Sequence, residues 1–304
     1  MINELPQLFG KNFVIGYVLP AALTAFALMG LLDLHGLTAS YAAIASFVRS
    51  GSEKLPLGQF GLIALTVWAA AVFLLGFNYK LTRLLEGYGS LNPARLWRWY
   101  CVGAYRKLAA EMRAHDDARD HAYGVAAIAF SANFPEREDL VLPTRFGNIM
   151  RAAERYPQIV YAMDPIQTWT RLSSVVPQAH ADRIDDAKAA LDFWINLWFG
   201  AAVVAGAEIA LWAWRGQPAA LGMVPAAGAA AILAAKAAQS AAKQFGALIK
   251  AAFDLYRKDL CAQLGLEWPH TLHKERELWQ AVSQTMLFRD ADAADDQTPF
   301  RKKS

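Results

Sequence analysis

Cysteines and recognisable catalytic motifs are both scarce in this sequence. The 304 residues include two cysteines, Cys101 and Cys261, and neither belongs to a Cys-x-x-Cys pair or a Cys/His set. A disulfide framework and a zinc module are therefore excluded, and free thiols fit a reducing compartment. The sequence also has no dinucleotide-binding glycine motif, no Walker lysine loop and no Gly-x-Ser-x-Gly elbow. We therefore predict neither an enzymatic activity nor a cofactor.

Charged residues are few as well. They make up 19% of the chain, whereas 55% is hydrophobic and the mean hydropathy is +0.18. This balance argues against a soluble enzyme and against a disordered protein. The net charge of +3 is too small to indicate a nucleic-acid-binding surface by itself.

Long apolar runs are what the chain has instead. Residues 12–34 contain one charge and residues 57–79 contain none, so each run exceeds the roughly 20 residues that cross a hydrocarbon core. Residues 193–214 form a third run with tryptophans at both ends, which resemble an interfacial belt. A shorter run of small residues at 219–235 is predicted to span while packed against other helices. The predicted fold is an all-α integral membrane protein with four transmembrane helices, a helical cytoplasmic domain and a long C-terminal stalk helix.

The distribution of lysine and arginine predicts the orientation. Residues 35–56 contain only Arg49 and Lys54, whereas the segment after the second run opens with Lys80, Arg83, Arg95 and Arg98. Because cytoplasmic loops carry the excess of positive charge, the large middle segment is expected in the cytoplasm. With four spans, the chain is predicted to be a multi-pass protein of the bacterial inner membrane with both termini cytoplasmic.

Composition divides the chain into five predicted parts. They are a two-span membrane unit (1–79), a helical cytoplasmic domain (80–192), a second two-span unit (193–238), a cytoplasmic stalk with an amphipathic helix (239–288), and a disordered tail (289–304). One long helix is expected from about 219 to 264. Within the cytoplasmic domain, Thr144 is a predicted N-cap and Pro157 is expected to interrupt the helix that follows.

A polar patch in the cytoplasmic domain is the first candidate site. Residues 144, 148, 151 and 155 share one face of the predicted helix, where arginines and an amide could clamp a phosphate or carboxylate group. A nearby Trp/Arg pair could stack a base. The alternatives are a solvated helix whose arginines pair with neighbouring acids and a tryptophan that serves packing. The candidate ligand-binding residues are Arg145, Asn148, Arg151, Arg155, Trp169 and Arg171.

Two polar residues in the third apolar run are candidates for a pore or gate. Glu208 is the only charge in that run, and a carboxylate there must be paired, protonated or facing water. Asn196 lies nearer the predicted cytoplasmic end. The alternative is that Glu208 is hydrated at the outer interface and Asn196 at the inner one. No metal site is predicted, because His115 and His121 point to different sides of a helix.

Residues 142–177 read LPTRFGNIMRAAERYPQIVYAMDPIQTWTRLSSVVP, in which P-T-R-x-G-N-x-x-R-A-A-E leads through Y-P to an Asp and then W-x-R-L. This segment resembles a recurring stretch in bacterial multi-span membrane proteins of unassigned function. The whole arrangement of two spans, a helical insert, two more spans and a stalk is similar to pore-forming membrane effectors of Hailong-type anti-phage systems. The second resemblance is one of architecture alone.

These observations lead to two main hypotheses on function. The first is a homo-oligomeric inner-membrane channel or pore-type effector in the lipid bilayer, gated by its cytoplasmic domain and suited to anti-phage defence. A nucleotide, an oligonucleotide or a soluble protein would then bind the cytoplasmic domain. The alternative is a non-conducting membrane anchor or scaffold that recruits a soluble partner to the inner leaflet. A membrane enzyme would need polar residues from several helices to converge on one pocket.

Overall fold

The structure is a computed structural model that describes residues 10–38, 57–90, 92–114, 121–216 and 222–288. Every regular element in these ranges is a helix, which confirms the all-α prediction. The predicted outer loop at 39–56, the start of the fourth apolar run at 219–221 and the predicted tail at 289–304 lie outside the described residues.

The helices differ greatly in length, and the two longest lie in the second half of the chain. In chain order they are α1 (Lys11–Leu34, with a π-helical turn at Val14–Val18), α2 (Leu57–Glu86), α3 (Arg98–Ala114, preceded by a 3-10 turn at Pro93–Trp97), α4 (His121–Asn133), α5 (Arg145–Tyr161), α6 (Pro165–Leu172), α7 (Gln178–Arg215), α8 (Met223–Gln263) and α9 (Leu272–Phe288).

Local signals explain where helix α5 begins and ends. The Thr144 hydroxyl accepts a hydrogen bond from the Gly147 N–H at 2.9 Å, which confirms the predicted N-cap of α5. The expected break at Pro157 is wrong, because Pro157 lies inside α5. One hydrogen bond is lost there, and burial of the apolar face of α5 offsets that loss. The helix ends instead at Tyr161, where Ala162 adopts a left-handed φ of 60°.

Three helical segments among the described residues are long and apolar enough to cross a membrane. They are Lys11–Leu34, Gly61–Glu86 and Gln178–Arg215. The prediction of four such helices is therefore corrected to three. Helix α8 falls short because only residues 223–235 precede Lys236, and most of these are alanine or glycine, whose hydropathy is weak.

The chain divides into two compact units. Unit 1 consists of Met1–Gly89 and Asp186–Ala241, and unit 2 consists of Ser90–Asp185 and Ala242–Ser304. All three apolar segments contribute to unit 1, and α3 to α6 and α9 lie in unit 2. Both units are thus built from two separate stretches of chain.

Helices α1 and α7 run parallel within unit 1. Lys11 pairs with Asp186 at 3.0 Å, Tyr17 contacts Asp192, and the Arg215 guanidinium donates to the His35 carbonyl at 2.7 Å. The contact partners follow each other in the same order along both helices, and they are 175, 175 and 180 residues apart in the sequence. The contacts therefore extend over the length of α1.

The described residues of unit 2 form two hydrophobic cores. The larger one surrounds the wholly buried Trp279 and brings together residues of α5, α6, α8 and α9, among them Phe253 and Leu172. The smaller one lies between α3 and α4 and contains Cys101, whose thiol pKa is raised by burial. Both cysteines are free thiols, and both are buried.

Candidate functional site: polar residues buried among apolar helices

The unit 1 part of α7 buries three polar side chains inside an apolar segment. The exposed fractions of Asp192, Asn196 and Glu208 are 3%, 1% and 0%. Gly200 and Val204 complete a buried row with a spacing of four residues, which forms one ridge on the helix surface. Sixteen residues separate the two carboxylates, which corresponds to about 24 Å along the helix. The polar row therefore extends through most of the apolar part of α7.

Asp192 is the point where three helices meet. Its carboxylate accepts hydrogen bonds from the Tyr17 hydroxyl of α1 at 2.7 Å and from the Asn78 amide of α2 at 3.0 Å. Lys188, one turn earlier on α7, donates to the same carboxylate. A buried carboxylate is costly unless it is paired and hydrogen-bonded, and these three donors meet that condition.

Asn196 binds the backbone of the π-helical turn in α1. Its Nδ2 donates to the Gly16 carbonyl at 2.8 Å. Gly16 faces α7 at close range, because a Cβ there would lie in van der Waals contact, 3.4 Å from the Asp192 Cβ and 3.5 Å from the Ala189 carbonyl oxygen. Both Gly16 and Tyr17 belong to the turn at Val14–Val18, so the π turn supplies two contacts to α7. Turns of this kind are frequent at functional sites.

Glu208 lies close to the start of α8. Its Oε1 accepts a hydrogen bond from the Met223 N–H at 3.3 Å, and a helix N-terminus favours negative charge. Its Oε2 has no hydrogen-bond partner in the described part of the chain. Glu208 is therefore only half satisfied, although it is completely buried.

Three buried oxygen atoms in or beside this row accept no hydrogen bond from the described residues. Among the described residues, Asn78 Oδ1, Asn196 Oδ1 and Glu208 Oε2 have no donor within hydrogen-bond distance. The amide assignments are supported because each Nδ2 donates to an oxygen. An unsatisfied buried polar atom costs about 1–3 kcal/mol. All three atoms are acceptors, so the row is suited to water, protons or cations.

The predicted ligand residues of α5 do not surround an open site. Asn148 is completely buried and fastens the preceding loop: its Oδ1 accepts from the Leu142 N–H at 2.7 Å, and its Nδ2 donates to the Leu142 and Thr144 carbonyls. Arg151 donates to the Leu140 carbonyl at 3.1 Å, and Arg155 pairs with Glu136. These side chains therefore hold the segment before α5 in place.

Arg145 is separated from these arginines and faces α3. Its guanidinium donates to the Tyr100 hydroxyl at 2.8 Å and lies 5.5 Å from the centre of the Tyr100 ring. It is exposed, so it contributes positive charge to the surface beside α3.

Trp169 and Arg171 have different surroundings. Trp169 packs against the larger core, with its ring 6.0 Å from that of Phe253. Arg171 is exposed and borders an open cleft of about 650 Å³ between α6 and the end of α8, which Asp259 also lines. Of the six predicted ligand residues, Arg171 is the one that lines this cleft.

Sequence reasoning identified Asn196 and Glu208 but missed Asp192. The sequence places Asp192 at the last position before the third apolar run, where an acid is ordinarily solvated. One signal was available, because Asp192 lies four residues before Asn196 and thus on the same helix face. No comparable pattern in the sequence identifies Tyr17 and Asn78 as its partners.

No group of three or more metal-ligating side chains is found among the described residues, and residues 115–120 of the histidine and aspartate cluster lie outside them. Comparisons of the chain with protein-family models, curated proteins and solved structures gave no match. Inferences on function therefore depend on the geometry of the chain itself.

Proposed function

We propose that the protein is a homo-oligomeric inner-membrane channel of the pore-effector type, gated by its cytoplasmic helical domain. The observation that carries the proposal is the row of buried polar side chains along α7, Asp192, Asn196 and Glu208. A helix that serves only as an anchor has no need for such residues, because each is costly in an apolar surrounding. Intramembrane polar groups are a hallmark of ion and proton pathways.

The chemistry of the row favours cations or protons. In and beside this row, the described side-chain atoms that lack a hydrogen-bond partner are the oxygens Asn78 Oδ1, Asn196 Oδ1 and Glu208 Oε2. Oxygen atoms of this kind replace the hydration shell of a cation, whereas an anion needs donors. Because the row is buried inside unit 1, we propose that the permeation path or its gate passes between α1, α2 and α7 of one protomer rather than along an outer face.

Connectivity supports a fourth crossing by α8. The larger core of unit 2 combines Ile184, which precedes the apolar run at 193–214, with Phe253, which follows it. Both residues must lie on the same side of a membrane, so the chain has to return after α7 crosses. Residues 223–241 of α8 have 19 positions and a length of about 28 Å, close to the hydrocarbon thickness of about 30 Å. Lys236 can reach the interface through its long side chain.

We propose that the N-terminus and unit 2 lie on one side of the membrane, and the cationic residues 80–98 favour the cytoplasmic side. Gating is proposed to act through α7 and α8, since both contribute residues to both units. The cleft beside Arg171 is the proposed position for a nucleotide or another anionic ligand. A role in anti-phage defence rests on the resemblance in architecture alone.

Cation flux through purified protein in liposomes tests the proposal. Wild-type protein should release potassium faster than chloride, and Glu208→Gln should lower the potassium rate by about tenfold, which corresponds to about 1.4 kcal/mol. Glu277→Gln is the matched control, because it makes the same chemical change at an exposed position of α9. Absence of flux from a defined oligomer, with and without cytoplasmic extract, would refute a channel.

The hydrogen bonds of Asp192 favour a second candidate function. Hydrogen bonds between polar groups also hold membrane helices together, and Asp192 accepts hydrogen bonds from residues of three helices. A non-conducting anchor or scaffold needs only such interhelical hydrogen bonds. It predicts that Glu208→Gln changes no flux and that full-length protein in liposomes still captures a soluble partner.

A further inference from the structure

The segment between α2 and the body of α3 presents an unusual surface. Residues 95–100 are six consecutive exposed positions, and they include Leu96, Trp97 and Trp99 with exposed fractions of 75%, 58% and 73%. Large apolar side chains seldom cluster on a surface without a partner. The exposed Tyr100 and Arg145 adjoin them.

The charged residues that neighbour this surface in the sequence are all positive. Between Gly87 and Ala110 there is no aspartate or glutamate, and the cations are Arg95, Arg98, Arg106 and Lys107. Two acids from a later segment, Glu138 and Asp139, pair with Arg106 and Arg137. Tryptophan and tyrosine mixed with arginine is the composition that membrane interfaces select.

Chain length keeps the segment near a candidate membrane helix. Six residues separate Glu86, the end of α2, from Pro93. They reach at most about 25 Å even when fully extended. If α2 crosses the membrane, Trp97 and Trp99 are therefore held within reach of its surface.

From these observations we infer that residues 95–100, together with Arg145, form an interfacial anchor that inserts Leu96, Trp97 and Trp99 among the headgroups of an anionic bilayer. The rings would occupy the headgroup level, and the arginines would lie beside the lipid phosphates. The inference rests on the membrane location proposed above, but not on conduction.

Nitroxide spin labelling tests this interfacial anchor. The full-length protein is labelled and reconstituted in vesicles of phosphatidylcholine and phosphatidylglycerol. The label is placed at Leu96→Cys, with Ile166→Cys as a control of equal exposure in unit 2 and Leu65→Cys as a control on an exposed face of α2. The native Cys101 and Cys261 are buried, and background labelling is measured on wild type. Relaxation by oxygen reports lipid contact, and relaxation by an aqueous nickel chelate reports exposure to water.

The expected result is that the labels at 65 and 96 favour oxygen while the label at 166 favours nickel. Trp97→Ser with Trp99→Ser should move the label at 96 into water, and Arg95→Gln should weaken its dependence on phosphatidylglycerol. A label at 96 that behaves like the one at 166, while 65 lies in lipid, would overturn the anchor alone. Protection of 96 from both reagents would overturn it in favour of a protein partner. If the nickel chelate also reaches the label at position 65, the membrane location itself is refuted.

Discussion

The side chain of Thr24 fills the space that a Cβ at Gly200 would need. Thr24 has little freedom to move, because its hydroxyl donates to the Pro20 carbonyl at 2.8 Å and its β-branch restricts χ1 in a helix. Gly200 therefore permits the close approach of α1 and α7, which is the role of small residues between membrane helices.

We predict that Gly200→Ala destabilises unit 1 by about 1–3 kcal/mol, the cost of overpacking a close contact. Gly206→Ala is the matched control, since Gly206 lies on the same helix and a Cβ there would meet no atom within 4 Å in the described part of the chain. That control should be neutral or stabilising, because alanine is the better helix former. Unfolding in mixed detergent micelles measures both, and equal stabilities would contradict the packing argument.

Asp192→Asn should weaken the junction of α1, α2 and α7. The change leaves the buried Tyr17 hydroxyl and the Lys188 ammonium without their charged acceptor, and the expected loss is about 3 kcal/mol. Asp186→Asn removes the ion pair with Lys11 of α1, but Asp186 and Lys11 are largely exposed, so its cost should stay below about 1 kcal/mol. The same detergent unfolding assay compares them, and a larger loss for Asp186→Asn would argue against the cluster.

Alkaline pH should destabilise unit 2 through two tyrosines. Burial, with hydrogen bonds to Asp254, raises the pKa of Tyr156 to about 12 and also raises the pKa of Tyr161. The folded state thus holds protons that the unfolded state releases from about pH 10, so stability is complete below pH 10 and falls between about pH 10 and 12. Denaturant unfolding followed by tryptophan fluorescence measures this slope.

The variant Tyr156→Phe should flatten that decline, because one of the linked protons is removed. Tyr100→Phe, which deletes a half-exposed phenol in unit 2, serves as the control and should keep the wild-type slope. A decline unchanged in Tyr156→Phe would show that other groups govern the alkaline transition.

Membrane-impermeant maleimide should distinguish four crossings from three. We expect labelling of Gln217→Cys from outside the cell, and labelling of Ile166→Cys and Leu255→Cys only after the cytoplasmic side is opened. Ile166 and Leu255 are exposed residues of unit 2, so they report the same compartment. Labelling of 217 and 255 from one side would contradict a return of the chain through α8.

Part of the candidate site could be predicted from the sequence. Glu208 and Asn196 stand out because a polar residue in an apolar run is conspicuous without any structural knowledge. The arginines of α5 were equally conspicuous, yet Arg151 and Arg155 contact the segment before α5, and Asn148 is a buried fastener. A shared helix face shows which residues can act together, but it does not show what that face packs against.

The sequence by itself determined the all-α class, the three apolar segments and the N-cap of α5 at Thr144, because run lengths and helix caps depend on neighbouring residues. Only the tertiary structure decided that Asp192 is buried at a junction. Its partners Tyr17 and Asn78 are 175 and 114 residues away along the chain. The cost of burying a carboxylate is offset by donors that the fold assembles from separate helices, and no local pattern encodes that assembly.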